Sequence, residues 1–203
     1  MNAIFCTYNN SFIGIKNKLP WELIQVIENH PVVQFDKKIF REATRGGTVV
    51  MGRKTWESMG SKPLSGRYNI IITSEPEKMA TKTPLYSFNK DVVNYLTIEQ
   101  FEKILPKLNN VWIIGGVSLF ERYIPKCELV YETMIYIGER LLKHFSNEDF
   151  TKMDRQKLLK NGDFIVSDHP ESYKMRKNLN NDIVYGTLKV HSKNYLKNDF
   201  ATF

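Results

Sequence analysis

The segment from Thr48 to Thr73, Thr-Val-Val-Met-Gly-Arg-Lys-Thr-Trp-Glu-Ser-Met-Gly-Ser-Lys-Pro-Leu-Ser-Gly-Arg-Tyr-Asn-Ile-Ile-Ile-Thr, restricts the fold more than any other part of the chain. Two apolar, β-branched runs, Thr48–Met51 and Tyr68–Thr73, enclose a glycine and a short helical stretch near Arg53–Met59. Such apolar runs read as strands. The turn after the first run is built to hold an anion. Gly52, Arg53, Lys54 and Thr55 open the helix, so unpaired backbone N–H groups, the positive end of the helix dipole and two cations converge. An ordinary strand-to-helix turn with solvated Arg53 and Lys54 accounts for these few residues equally well.

The same rhythm recurs along the chain. Ala3–Tyr8 reads as a first strand stopped by Asn9-Asn10-Ser11, and Phe12–Trp21 as a mobile loop, since Pro20 disfavours a helix through Leu19. From Val33 to Thr44 the spacing is helical, with Phe35, Ile39 and Ala43 on one face and Asp36 beside Phe40 on an adjacent one. Thr97 caps a helix reaching Leu105, and Trp112–Ile114 is a buried strand leading through Gly115-Gly116 into a helix over Val117–Tyr123. Further strands are expected at Pro84–Phe88, Leu129–Ile135, Phe164–Ser167, Tyr173–Lys177 and Ile183–Val190, the last two forming an antiparallel hairpin. The expected class is therefore α/β: a mixed, predominantly parallel central sheet flanked by helices, with an antiparallel C-terminal hairpin. One domain over residues 1–191, followed by a tail over 192–203, suits a chain of 203 residues.

Composition removes several classes of function. Apolar residues at 42% and charged residues at 25% are those of an ordinary globular protein, and no apolar run is long enough to span a bilayer. The first residues show no secretory signal, which points to the cytoplasm. Cys6 and Cys127 have neither a Cys-x-x-Cys neighbour nor a histidine at ligand spacing, so they are expected to be buried thiols, with no metal. The net charge of +7 is spread singly along the chain, which suits an anionic small molecule rather than nucleic acid. His30, His144, His169 and His191 lie far apart and are given structural roles.

Gly115-Gly116 is a second turn that lets a ligand approach the backbone closely. Two such turns at strand ends suit a ligand with more than one phosphate, such as a dinucleotide. The G-x-G-x-x-G fingerprint is absent. A near match to a phosphate-binding loop, Gly47 to Thr55, fails because an apolar strand separates its glycines and Arg53 displaces the lysine.

Taken in order, Ile13-Gly14 with Leu19-Pro20-Trp21, Asp36 ahead of Phe40 and Thr44, the opening segment, and Ile113-Ile114-Gly115-Gly116 followed by Thr133 resemble the dihydrofolate reductase family. The resemblance runs from about Ala3 to Val190 and is densest over Met51–Arg67 and Ile113–Phe120. It implies a dihydrofolate-reductase-like fold, with residues from about 47 to 108 as an adenosine-binding subdomain. It also implies reduction of 7,8-dihydrofolate to tetrahydrofolate by hydride transfer from NADPH. A monomer is expected.

By resemblance, Asp36 is the carboxylate that holds the pterin and favours its protonation, Thr133 the hydroxyl linked to it, and Trp21 the residue that orders a nearby water. Ile4, Phe5 and Cys6 line the pterin and nicotinamide through the first strand. Lys37, Phe40, Met59, Leu64 and Ile114 bound the substrate pocket, and Arg67 pairs with the substrate's α-carboxylate. Read without the family, the apolar members of this set are core residues and Arg67 a surface charge. For the cofactor, Gly52, Arg53, Lys54 and Thr55 with Thr73 and Ser74 contact the pyrophosphate and 2′-phosphate. Gly115, Gly116, Val117, Ser118, Leu119 and Phe120 form the second turn, whose Gly115–Gly116 peptide is cis in the family. Ile13, Gly14, Asn17, Lys18 and Leu19 form the loop over the nicotinamide.

The chain also departs from the pattern. It carries extra residues between Trp21 and Asp36, which leaves Glu28 as a rival acid; Lys37 stands at a position often apolar; Ser118 lacks a basic side chain; and no acidic tether for the loop is evident around Leu141–His144. Alternatives are a related NADPH reductase of another pterin or a pyrimidine, and a non-catalytic protein that keeps the fold.

Overall fold

A computed structural model describes residues 1–82, 93–169 and 184–193. Its centre is a single sheet in the order β5-β4-β3-β6-β1-β7-β10-β9, formed by β1 (Asn2–Tyr8), β3 (Thr48–Gly52), β4 (Tyr68–Ile72), β5 (Val93–Leu96), β6 (Val111–Gly115), β7 (Leu129–Ile137), β9 (Ile165–Asp168) and β10 (Val184–Ser192). The pairs from β5 across to β7 are parallel, whereas β7–β10 and β10–β9 are antiparallel. This is the mixed, predominantly parallel arrangement expected, with an antiparallel C-terminal edge. The candidate strand Pro84–Phe88 and the turn and first strand of the expected hairpin, Tyr173–Lys177, lie outside the described residues.

The helices are α1 (Pro20–Leu23), α2 (Gln25–Glu28), α3 (Pro31–Thr44), α4 (Arg53–Ser58), α5 (Pro76–Lys82), α6 (Ile98–Ile104), α7 (Val117–Tyr123), α8 (Glu139–Leu142) and α9 (Arg155–Lys160). None among the described residues is long and apolar enough to cross a membrane. Thr97 caps α6, its hydroxyl accepting from the Gln100 N–H while the Gln100 side chain accepts from the Thr97 N–H. His30 caps α3 by accepting from Val32 through Nδ1, a structural role for one of the four histidines.

Three apolar clusters hold the sheet. One, centred on Phe101, Ile113, Tyr123 and Val130, fills the face under α6, α7 and α9; a second, with Trp21, Val33, Ile39 and Ile135, lies under α3; a third, with Val49, Met51, Trp56 and Ile71, seats α4. Residues 48–51 are buried on both faces, which is why their sequence shows no alternation. Ile114 packs against both the second and third clusters. The groove between α3 and α4 therefore opens over it.

The segment Phe12–Trp21 differs from the mobile loop expected. Phe12–Ile15 form β2, paired antiparallel with β1 and with β8 (Phe150–Lys152). Lys16 and Asn17 take positive φ values of 49° and 59°, and Ile15 and Lys18 exchange hydrogen bonds of 2.9 Å, a tight hairpin turn. Its partner β8 is far away in sequence, so no local pattern announces the pairing. The N–H of Lys16 donates to Asp149 O at 2.6 Å and its ammonium stands 3.7 Å from the Asp149 carboxylate. Asp149, outside Leu141–His144, is thus one acidic residue at this loop, and Glu22, whose carboxylate accepts from the Leu19 N–H at 2.6 Å, is another.

Candidate active site

Asp36 lies on α3 one turn before Phe40, with both side chains half-buried on the groove side. Across from it, β1 and β7 run in parallel register with Cys6 opposite Thr133 and Ile4 opposite Tyr131. Burial pushes the Asp36 carboxyl up to about 6, against a smaller downward pull from the Thr133 hydroxyl and from Lys37. The Thr133 hydroxyl is buried and closes no hydrogen bond of ordinary length among the described residues. It is therefore near enough to Asp36 to be felt and free to take another partner. Glu28, the rival acid, is exposed at the end of α2.

Around Asp36 the walls are aromatic. Trp21 is 6% exposed, the Lys37 ammonium sits 5.8 Å over its ring, and Tyr8 meets it edge-on at 6.0 Å. Tyr8 escaped the sequence reading. Its hydroxyl is buried without a hydrogen-bond partner among the described residues, and burial, with the nearby Asp36, keeps it protonated. Only its place on the Ile4-Cys6-Tyr8 face of β1 gave a signal. Cys6 is half-buried rather than buried, and burial together with Asp36 raises its thiol well above the ordinary value, so it stays a neutral thiol; Cys127 is buried as expected.

On the far wall, Met59 and Leu64 are half-buried against the third cluster, and the Arg67 guanidinium lies 5.7 Å over the Phe40 ring. The Leu64–Arg67 turn is fixed from beneath by Asn69, which is fully buried. Its amide donates to Leu64 O at 3.1 Å and Arg67 O at 3.0 Å, and its carbonyl accepts from Leu64 N at 3.0 Å. Asn69 was not singled out from the sequence, because a polar residue in an apolar strand reveals its partner only once the loop folds back.

The two glycine turns come together because β3 and β6 are neighbours. A Cβ built on Gly52 would stand 3.7 Å from Gly116 N, and one on Gly115 would meet the Thr55 hydroxyl at 2.9 Å. Only glycine fits at Gly115, where φ is +149°, and the Gly115–Gly116 peptide is cis. Gly116 then caps α7, its carbonyl accepting from Leu119 and Phe120 at 3.0 Å each. The side chains of Leu119 and Phe120 point into the first cluster, each 2% exposed, so the accessible part of this turn is Gly116, Val117 and Ser118. Lys54 is exposed beside the turn, and Arg53 makes two hydrogen bonds to Glu57 at 2.7 and 2.9 Å. Thr73 is buried with its hydroxyl accepting from Glu75 N at 3.2 Å, and Ser74 is exposed next to it at the end of β4. The hairpin residues close the other side: Ile13 is half-buried, Gly14 buried, and Asn17, Lys18 and Leu19 exposed.

Asp36, Trp21, Phe40, Arg67 and Thr133 are thus gathered from α3, α1, a loop and β7 around one groove, with the glycine turns at the adjacent strand ends. Such an arrangement can hold a flat, polar ring on a carboxylate of raised pKa, and an anionic ligand at the turns.

Known proteins resemble this chain in sequence and fold. The family profile described as "Dihydrofolate reductase" matches residues 1–165. Dihydrofolate reductase of Staphylococcus aureus is 35% identical over 141 residues, which span 68% of this chain and 74% of that protein. Dihydrofolate reductase of Bacillus subtilis is 32% identical over 149 residues, 73% of this chain and 77% of its own length. Among solved structures, dihydrofolate reductase from Enterococcus faecalis, complexed with NADP(H) and RAB-propyl, superposes with a TM-score of 0.57 at 26% identity, covering 95% of this chain and 96% of that one. With its sheet, its paired glycine turns and its match over most of its length, this chain belongs to the dihydrofolate reductase family.

Proposed function

We infer that the protein is an NADPH-dependent dihydrofolate reductase, reducing 7,8-dihydrofolate to 5,6,7,8-tetrahydrofolate. The observation that supports this reading is that Asp36 on α3 has its pKa raised to about 6, in a chain whose turns at Gly52 and Gly115–Gly116 meet at neighbouring strand ends. Asp36 accepts hydrogen bonds from the pterin and holds it in the orientation that hydride transfer to C6 requires. Its carboxylate raises the basicity of the ring, so that N5 takes a proton as the hydride arrives. Thr133 orients the Asp36 carboxyl, and Trp21 limits the water that reaches it. Ile4, Cys6, Lys37, Phe40, Met59, Leu64 and Ile114 form the walls, whereas Phe5, whose side chain packs on Phe120 on the opposite face of the sheet, offers its backbone. Arg67, braced on Phe40, presents a planar fork to the substrate's carboxylate.

The turns fit a dinucleotide, because the Gly115 site has no room for a side chain and Gly52 adjoins Gly116. Gly52, Arg53, Lys54, Thr55, Thr73, Ser74 and Gly115–Phe120 would hold NADPH, with Ile13, Gly14, Asn17, Lys18 and Leu19 over the nicotinamide. When bound, NADPH supplies the hydride. Residues from about 47 to 108 serve the adenosine half, within one domain over 1–191. The protein works as a cytoplasmic monomer on a small molecule, without a nucleic-acid partner; scattered rather than clustered cations support the last point.

Following the absorbance of NADPH in the presence of dihydrofolate tests the reading. Turnover is expected, and a folded protein that binds both ligands without oxidising NADPH would overturn it in favour of a non-catalytic role.

A further inference from the structure

Asn69 is a polar residue inside β4, whose sequence is Tyr-Asn-Ile-Ile-Ile, and it is 0% exposed between Val49 of β3 and Val93 of β5. A carboxamide buried among apolar strands costs free energy unless its polar atoms are bonded. The three hydrogen bonds to Leu64 and Arg67 use both of its amide protons and its carbonyl. The partners also fix which way the amide points. An N–H of Leu64 can only donate and the carbonyls of Leu64 and Arg67 can only accept, so neither a carboxylate nor a hydroxyl reproduces the set.

Those bonds end on two residues with different tasks in the reading above: Leu64 is an apolar wall of the substrate groove, and Arg67 is the fork for the substrate's carboxylate. Between them the turn is exposed at Ser65 and Gly66, the latter with a φ of 70°. Its other side is tied to the chain leaving α3. Gly66 O accepts from Gly46 N at 3.2 Å, and Tyr68 N donates to Gly47 O at 3.0 Å. The Arg67 guanidinium reaches back over Phe40 of the same helix at 5.7 Å. Arg67 is therefore gripped from α3 and from β4, and the Asn69 amide joins it to Leu64.

We propose that Asn69 is a positioning residue for the reduction, setting the distance between the Leu64 wall and the Arg67 fork and so favouring substrates that carry a carboxylate on an aryl extension of the ring. It acts through those two residues rather than on the ring itself. The proposal rests on the assignment of Arg67 to the substrate's carboxylate.

Steady-state kinetics of Asn69→Ser with two substrates test it: dihydrofolate, and 6-methyl-7,8-dihydropterin, which keeps the ring and lacks the extension. KM for dihydrofolate should rise about tenfold with kcat nearly unchanged, because a misplaced fork loses binding common to ground and transition states. For the ring alone, kcat/KM should stay within about twofold, since neither Leu64 nor Arg67 contributes to it. Added to Arg67→Lys, the substitution should cost less than about twofold more, as expected of residues acting as one unit. Equal losses with both substrates, no loss with dihydrofolate, or full additivity with Arg67→Lys would overturn the proposal. A second measurement needs no variant at Asn69. In the wild-type protein the side-chain amide protons of Asn69 should exchange with solvent about tenfold more slowly when folate is bound, and not when 6-methylpterin is bound. The same exchange rate with both ligands would overturn the link. Should the wild type turn over neither substrate, the reductase reading falls, and the exchange measurement alone decides the role of Asn69.

Discussion

Asp36 and Glu132 are carboxylates taken into the same protein on opposite faces of the same sheet, and their surroundings treat them in opposite ways. Glu132 is fully buried, yet its pKa falls: burial alone would raise it, but His191, the fork of Arg155 and their charges more than compensate, and the Thr7 hydroxyl donates to it at 3.0 Å. Asp36 is half-buried, yet its pKa rises to about 6, because only Thr133 and Lys37 oppose desolvation. The structural carboxylate is saturated with partners from β1, β10 and α9. The candidate catalytic one is left wanting partners, and a substrate can provide them.

The largest effect expected comes from stripping Glu132 of its partner. Arg155→Met leaves a buried charge with one strong donor fewer and should cost about 3–5 kcal/mol of unfolding free energy in urea titration. Unchanged stability would mean that Glu132 is not the anchor described. Asp36→Asn should lower kcat/KM for dihydrofolate at pH 7 by about 10²–10³, while the protein remains folded by circular dichroism. If Glu28→Gln has that effect and Asp36→Asn does not, the acid has been misassigned.

The two carboxylates also predict opposite slopes of stability with pH. Glu132, with its folded pKa depressed, contributes stability present above the ordinary value of 4.5 and lost as pH falls through the folded value. Asp36, raised from 3.8 to about 6, binds its proton more tightly in the folded state. Its contribution is therefore greatest below 3.8 and is lost as pH rises to about 6, by up to about 3 kcal/mol. Comparing denaturant midpoints of wild type and Asp36→Asn across this window isolates the second slope, which should vanish in the variant. The smallest effect belongs to Arg67→Lys: KM for dihydrofolate should rise about tenfold with kcat nearly unchanged, since lysine keeps the charge and loses the fork. A kcat loss without a KM change would place Arg67 away from the substrate's carboxylate.

Much of this was legible in the residues. The helix over Val117–Tyr123 and the strands about Gly52 and Gly115 fall where periodicity and turn chemistry put them, and the Asp36–Phe40 spacing already set both on one side of α3. The hairpin at Lys16–Asn17 was not, because its pairing partner β8 is far off in sequence. The helix α5 and strand β5 also escaped notice, as a short half-buried strand carries little pattern. Nor did Leu119 and Phe120 show that their side chains would fill the core beneath a glycine turn.

The sequence by itself determined what is local: buried runs without alternation, glycine where a Cβ has no room, a capped helix, and an acid one turn from an aromatic. These depend on sterics and on hydrophobic period, which a few neighbouring residues settle. Only the tertiary structure decided the state of each acid. Glu132 meets Arg155 and His191, 23 and 59 residues away, and Asp36 is desolvated by walls drawn from several elements, so their opposite pKa shifts arise from packing that no local stretch encodes.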